Sequence, residues 1–212
     1  MLSYNSKTPT TNWVSSQLNR SWIGVAVSLD NLRPDNALPA AQYKVRPNDY
    51  TGSGYDRGHI APSADRTRNE ADNSATFLMS NIMPQVPEVN RGVWGDLEEY
   101  CRELVQQGKE LYIIAGPIGK KGSIGRKEKI AVPAENWKVI TVLDRQGLGI
   151  QGINANTRTI AVMIPNDSNV KGKGWKSFRV PVKKVERETG LNFLSNVPSQ
   201  VQQVIESKVD SQ

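Results

Sequence analysis

The sequence predicts an α+β fold in which helices flank a central sheet. Four segments rich in β-branched residues end at turn-forming residues, and three other segments have helical periodicity. No internal repeat or low-complexity block interrupts the chain, and 37% of its residues are hydrophobic, enough to bury a core. We therefore expect residues 1–212 to form one domain.

The predicted strands are short apolar segments that contain many Val, Ile and Thr residues. They are WIGVAVSLD at 22–30, LYIIAGPI at 111–118, KVITVLD at 138–144 and TIAVMIPND at 159–167. We expect these segments to be strands of the central sheet.

The predicted helices are identified by apolar residues that recur every three or four positions. The clearest is EVNRGVWGDLEEYCRELVQQG at 88–108, which Gly108 is expected to end. A second, VPVKKVERETG, ends at Gly190, and a third, VPSQVQQVIESKVD, opens with Pro198 and Ser199. The apolar stripe of the third helix is expected at Val201, Val204, Ile205 and Val209.

The charge balance favours a polyanionic partner, because 27 Lys and Arg face 21 Asp and Glu, a formal charge of +6. No stretch reaches the roughly 18 apolar residues that span a bilayer, so no membrane association is expected. The first twenty residues lack the apolar segment of a secretory signal. The single cysteine, Cys101, excludes an internal disulfide and a zinc site built from several cysteines.

The only histidine, His59, lies in the segment DRGHIAPSADRT at 56–67. A Cys–His protease is disfavoured because Cys101 falls at an apolar helix position, and no G-x-S-x-G turn indicates a serine hydrolase. A lone histidine is most often structural. The charged pair Asp56–Arg57 and the Gly58 beside it favour a functional site instead.

Two polar residues interrupt the apolar stripe of the helix at 88–108. At helical spacing Asn90 and Glu98 share a face with Trp94, Cys101 and Val105. One interpretation is structural, with Asn90 as a helix cap and the Glu98 carboxylate in water. The other is functional, with an amide oxygen and a carboxylate facing a hard cation such as Mg²⁺.

Together, the motifs DRGHIAPSAD, SNIMPQ and NRGVWGDLE resemble the signature of the DNA/RNA non-specific endonucleases. These are ββα-metal (His-Me finger) nucleases of the Serratia nuclease and endonuclease G type, and they include the secreted nucleases of filamentous cyanobacteria. The resemblance covers nearly the whole chain. It implies a central antiparallel sheet flanked by helices and a ββα-metal active-site motif.

The resemblance also implies roles for individual residues. His59 would be the general base, and Asn90 would be the direct protein ligand of one Mg²⁺ or Mn²⁺. Glu98 would orient the water of that ion, Arg57 would clamp the phosphate, and Asp56 would make a structural hydrogen bond. Imidazole titrates near pH 6.5, so no strong pKa shift is needed for a base at neutral pH. The expected supporting residues are Asn81 and Gln85.

One departure from the family concerns an arginine that helps to stabilise the transition state. Ser28 stands at its position, and a missing guanidinium could cost about 3 kcal/mol, roughly a hundredfold in rate. Arg33 is the nearest substitute, although LRPD could equally be a surface turn with an Arg–Asp pair. Either the enzyme is slower than its relatives, or another cation takes the place of the arginine.

Two basic stretches are expected to bind a phosphate backbone, one around Lys127 and one around Lys173, although either could be a solvated surface. The resulting hypothesis is an endonuclease that hydrolyses single- and double-stranded DNA and RNA and leaves 5′-phosphate ends. The alternative is a catalytically silent nucleic-acid-binding protein. The resemblance further suggests a secreted or periplasmic location and an acidic inhibitor protein that plugs the basic groove.

Overall fold

The fold is built on one large antiparallel sheet. The computed structural model describes residues 1–212, apart from the side chain of Glu128. In chain order the elements are β1 (Leu2–Asn5), β2 (Thr10–Leu18), β3 (Asp56–His59), α1 (Glu70–Ala75), β4 (Ile82–Gln85), α2 (Trp94–Gln106), β5 (Glu110–Ile118), β6 (Gly122–Ile124), β7 (Ile130–Val132), β8 (Glu135–Leu143), β9 (Arg158–Pro165), β10 (Arg179–Val180), α3 (Val182–Thr189) and α4 (Ser199–Ile205).

Six strands form the sheet in the order β1-β2-β5-β8-β9-β10, and all neighbours are antiparallel. Two separate antiparallel ribbons, β3–β4 and β6–β7, lie outside it. The predicted α+β class with a central antiparallel sheet is confirmed.

The sheet is covered on both faces. On one face, α2 and residues near β3–β4 join the strands in the largest apolar cluster. Its fully buried members include Met83, Leu97, Leu111, Ile140 and Ile160. On the other face, α3 packs against alternate residues of β8 and β9 in a second cluster. Alternation along β8 therefore decides which side chains face α2 and which face α3.

Three of the four predicted strands are confirmed as β5, β8 and β9, but the strand predicted at 22–30 is wrong. That segment is an irregular loop, with Val25 98% exposed and Val27 72% exposed. Its backbone is tied instead to Thr67, which accepts from Ala26, and to Asn73, which accepts from Leu29. The β-branched residues there have no partner strand, whereas the more polar segments 2–5 and 10–18 do.

The three predicted helices are present as α2, α3 and α4, with corrected extents, and α1 was not predicted. The segment at 88–108 is helical only from Trp94, because Val89–Val93 form a wide turn in which Gly92 has non-helical angles. Gly108 and Gly190 follow α2 and α3 with φ of +88° and +71°, as the predicted stops require. The third helix is shorter than predicted, and of its expected stripe Val204 and Val209 are exposed while Ile205 is buried.

None of the helices in the described part of the chain is long and apolar enough to cross a membrane.

Candidate functional site

The β3–β4 ribbon carries the histidine motif. Asp56 pairs with Gln85 and His59 pairs with Ile82, so the whole DRGH segment is one strand of the ribbon. A side chain at Gly58 has no room, because a Cβ built there would lie 1.9 Å from Oε1 of Gln85. Gln85 is fully buried, so it has little space to move. The glycine of the motif is therefore required by the packing of Gln85 across the ribbon.

The His59 imidazole is largely buried. Its Nε2 is buried and accepts no hydrogen bond from any described residue, and its ring meets the Phe77 ring edge to face at 5.0 Å between centroids. Burial lowers the pKa of His59 to about 4, and the carboxylate of Asp30 opposes the shift. This departs from the expected value near 6.5. The imidazole is neutral at pH 7 and has a free nitrogen lone pair.

The Asn90 side chain is fixed by a carboxylate on β3. Its Nδ2 donates to Oδ2 of Asp56 at 3.0 Å, and no described residue donates to its Oδ1. Asp56 also accepts two hydrogen bonds from Arg91, at 2.8 and 2.7 Å. Burial disfavours the charge on Asp56, but the bonds from Arg91 and Asn90 outweigh it and hold the pKa of that carboxyl below its usual range. Asp56 thus links the Asn90 side chain to Arg91.

The wide turn before α2 changes the interpretation of Asn90. The residue preceding the helix proper is Val93, which provides no side-chain cap. Asn90 lies three residues earlier, inside Val89–Val93, so the suggestion that it caps the helix is wrong. Gly92 breaks the helical angles there and lets the chain turn between Asn90 and Trp94.

Glu98 lies on α2 in a pair that the sequence analysis missed. Its Oε1 is 3.4 Å from Nζ of Lys138, whose side chain is only 2% exposed. Burial raises the pKa of Glu98 to about 7, and the charge of Lys138 opposes the shift. A lysine in the middle of the apolar segment NWKVITVL was the available signal. Beside this pair, Arg102 donates to the buried Asp65 at 3.0 Å.

Arg57 is engaged elsewhere. Its Nε and Nη2 donate to the carbonyl oxygen of Pro47 at 3.0 and 2.8 Å, and its guanidinium carbon lies 6.0 Å from the centre of the Tyr50 ring. Asp56 contacts Asn90 and Arg91, so adjacent residues of β3 reach different neighbours, as expected of a strand. Only Nη1 of Arg57 has no hydrogen bond to a described residue.

The two supporting residues are buried beneath the motif. The Asn81 side chain accepts from the amide of Ala61 and donates to the carbonyls of Ala61 and Thr76, which ties down the chain just after His59. Neither amide atom of Gln85 has a hydrogen bond to a described residue.

Ser28, which the resemblance aligns with a family arginine, lies in the loop at 22–30. Ser28 is exposed there. Nη1 of Arg33 donates to the carbonyl of Ser74 at 2.9 Å and to two oxygens of Asn31. The guanidinium of Arg33 is therefore tied to the loop and the end of α1.

The two basic stretches differ in their surroundings. Lys127 is exposed in the turn between β6 and β7, near Lys129, whose Nζ lies 4.8 Å from the centre of the Tyr43 ring. Lys173 is exposed in the loop before Trp175. Cys101 is buried, and burial raises the pKa of its thiol to about 12, so it cannot serve as a thiolate nucleophile.

Comparison with known proteins gives a consistent result. The model of the DNA/RNA non-specific endonuclease family matches residues 1–200. A nuclease of Nostoc sp. is 57% identical over 212 residues, which cover 99% of this chain and 76% of the relative. Human mitochondrial endonuclease G is 31% identical over 211 residues, which cover 93% of this chain and 68% of that protein. Nuclease 1 of Schizosaccharomyces pombe, also mitochondrial, is 34% identical over 178 residues, 78% of this chain but only 53% of that protein.

A solved structure matches as well. The crystal structure of the EndoG/EndoGI complex, which describes the mechanism of EndoG inhibition, superposes with a TM-score of 0.79 at 26% identity. The match covers 94% of this chain and 84% of that chain.

Replacing Gly58 tests the packing of the ribbon. We expect Gly58→Ala to lower the free energy of unfolding by about 1–3 kcal/mol, because the new methyl group overpacks against Gln85. The measurement is urea-induced unfolding. The matched control is Gly174→Ala, where a Cβ meets nothing within 4 Å, and we expect a change within about 0.5 kcal/mol. Equal stability of the two variants would contradict the described packing.

Proposed function

The chain belongs to the DNA/RNA non-specific endonuclease family, and from that premise we propose that it hydrolyses phosphodiester bonds of DNA and RNA, single- or double-stranded, at the site around His59. The observation that carries the proposal is the neutral imidazole of His59 on the same short strand as the carboxylate that holds Asn90. A base and an oxygen ligand are the two parts that metal-assisted hydrolysis requires. We also propose that residues 1–212 form one nuclease domain.

His59 is assigned the general-base role. A water molecule attacks phosphorus while the neutral imidazole of His59 takes one of its protons, and the bond from phosphorus to the 3′ oxygen breaks. The 3′ oxygen takes a proton from solvent, so the products carry 5′-phosphate and 3′-hydroxyl ends. The low pKa of His59 keeps the imidazole unprotonated, and the negative phosphate of a bound substrate favours the imidazolium that forms.

Asn90 is assigned as the protein ligand of one Mg²⁺ or Mn²⁺. Its donated bond to Asp56 identifies Oδ1 as the atom free to bind a cation, and hard cations prefer oxygen. Among the described residues no group of three or more His, Cys, Asp or Glu could hold a metal ion, so water and phosphate would complete the shell. When bound, such an ion supplies positive charge that stabilises the phosphate oxygens and the leaving 3′ oxygen.

The other residues of the motif are assigned supporting parts. Glu98 hydrogen-bonds and orients water in the site, and Asp56 holds the Asn90 amide. Arg57 contributes a nearby positive charge and, through its free Nη1, one donor toward phosphate, because its other two donating atoms remain on Pro47. Asn81 hydrogen-bonds the backbone after His59, and Gln85 packs over Gly58 across the ribbon.

Substrate breadth is assigned to the basic surface. Around Lys127, the exposed Arg126 and Lys129 adjoin the Tyr43 ring, a combination of cations and an aromatic face that suits nucleic acid. Lys173 is proposed as a second contact with the phosphate backbone. Such contacts read no base sequence, which agrees with a substrate range of both DNA and RNA.

An inhibitor partner and a location are proposed from the similarity of this chain to known nucleases. The structure of EndoG with EndoGI supports an inhibitor protein as a partner, and the proposed inhibitor is acidic and covers the basic surface of this nuclease. A secreted or periplasmic location is proposed only from the resemblance to the secreted nucleases of filamentous cyanobacteria.

The first prediction concerns cleavage itself. Plasmid DNA and total RNA incubated with Mg²⁺ or Mn²⁺ should be digested, and EDTA should stop digestion. We expect His59→Ala to lower the rate by about a hundredfold or more, because a general base is lost, and Asn90→Ala to lower it strongly and raise the metal concentration required. Gln203→Ala, on the exposed face of α4, is the control and should cleave like the wild type.

These assays separate the enzyme from its alternative. Substrate that survives with metal present, while still binding the protein, would favour the catalytically silent nucleic-acid-binding protein. Wild-type activity of His59→Ala or of Asn90→Ala would refute the assignment of that residue.

The second prediction concerns the serine in place of the family arginine. Arg33 is tied to Asn31 and Ser74, so we propose that Ser28 leaves the transition state with one cation fewer. Ser28→Arg should therefore raise kcat, by roughly a hundredfold at most. Ser28→Gln, of similar length without charge, is the control. An unchanged kcat in Ser28→Arg would indicate that another cation already acts there.

A further inference from the structure

A buried lysine lies beneath the site. Lys138 is on β8, and its exposed fraction is 1%. Its neighbours in the sheet are Ala115 on β5 and Val162 on β9, both apolar. Lysine is almost never fully buried unless it is paired, since burial of an ammonium group is costly. The contacts of Nζ must therefore explain how a buried ammonium group is stabilised at this position.

The Lys138 ammonium group makes two contacts, both with α2. Its Nζ lies 3.4 Å from Oε1 of Glu98 and 4.0 Å from the centre of the Trp94 ring. The other nearby carboxylate, Asp65, is bonded to Arg102 at 3.0 Å. Glu98 is therefore the carboxylate that pairs with Lys138, and the Trp94 ring supplies the second favourable contact.

Trp94 extends this connection to the histidine strand. The residue is 1% exposed, and its indole Nε1 donates to the carbonyl oxygen of His59 at 3.2 Å. One ring thus has Lys138 over its face and the His59 backbone at its edge. The chain of contacts runs from Glu98 through Lys138 and Trp94 to His59.

We propose that Lys138 is a positioning residue for the cleavage site, holding the Glu98 carboxylate and the Trp94 ring in one arrangement and, through Trp94, the backbone of His59. The inference rests on the proposed nuclease function. An apolar residue of similar volume would fill this strand position at no charge-burial cost, and buried ion pairs often stabilise a fold less than such a replacement. A gain in stability therefore does not explain the lysine. Its role in orienting the Glu98 carboxylate and the His59 backbone does.

The experiment compares Lys138→Met, which keeps the length of the side chain and removes its charge, with Ile140→Val. Ile140 is two residues along the same strand, fully buried and uncharged, so its variant controls for a loosened core. Two readouts are used. One is kcat and KM for a defined oligonucleotide at saturating Mn²⁺. The other is hydrogen exchange of the Trp94 indole N–H, followed by NMR in metal-free protein. The indole signal is assigned by its absence in Trp94→Phe.

In Lys138→Met we expect kcat to fall at least tenfold with KM changed less than twofold, and the indole N–H to exchange at least tenfold faster. Ile140→Val should change neither kcat nor indole exchange by more than twofold. A folded Lys138→Met with wild-type kcat or wild-type indole exchange would overturn the proposal, as would equal losses in Ile140→Val.

If Lys138→Met does not fold, the comparison moves to Glu98→Gln and the double variant Lys138→Met/Glu98→Gln, which leaves no uncompensated buried charge. Faster indole exchange in the double variant than in Glu98→Gln supports the proposal, and equal exchange overturns it. If the wild type cleaves no substrate, the proposed function fails. Indole exchange in metal-free protein still decides whether Lys138 holds Trp94.

Discussion

The site depends on the packing of the β3–β4 ribbon against α2. This contact fixes the His59 backbone through the Trp94 indole N–H, while the Phe77 ring packs against the imidazole. Packing within the ribbon requires a glycine at position 58, because the Gln85 side chain crosses the ribbon there. The DRGH motif is therefore a packing requirement as well as a chemical one. In the proposed mechanism, its histidine can act as a base only if the rest of the fold fixes the position of the strand.

Charge is arranged around that contact in pairs. Asp56 is held by Arg91 and in turn holds Asn90, while Lys138 faces Glu98. Pairing offsets part of the desolvation cost of the charged groups that lie at or beneath the surface. The neutral members, the His59 nitrogen and the Asn90 oxygen, are left free for chemistry. The proposed roles follow from this division between paired and unpaired groups.

Local patterns in the sequence predicted the centre of the fold, and the motif resemblance named the residues that are proposed for the site. The strands at 111–118, 138–144 and 159–167 were recognisable because long apolar stretches are buried on both faces of the sheet. The segment at 22–30 has the same composition but no strand beside it, and pairing is a property of the whole fold. Likewise, Lys138 is 40 residues from Glu98, so no spacing rule could link them.

Burial keeps the His59 imidazole neutral at pH 7. This can be tested directly because His59 is the only histidine of the chain. An NMR titration of the imidazole in metal-free protein therefore follows one residue without ambiguity. Burial should place the midpoint near pH 4, with the ring unprotonated throughout the neutral range. A midpoint near the ordinary 6.5 would mean that water reaches the imidazole, and it would contradict the account.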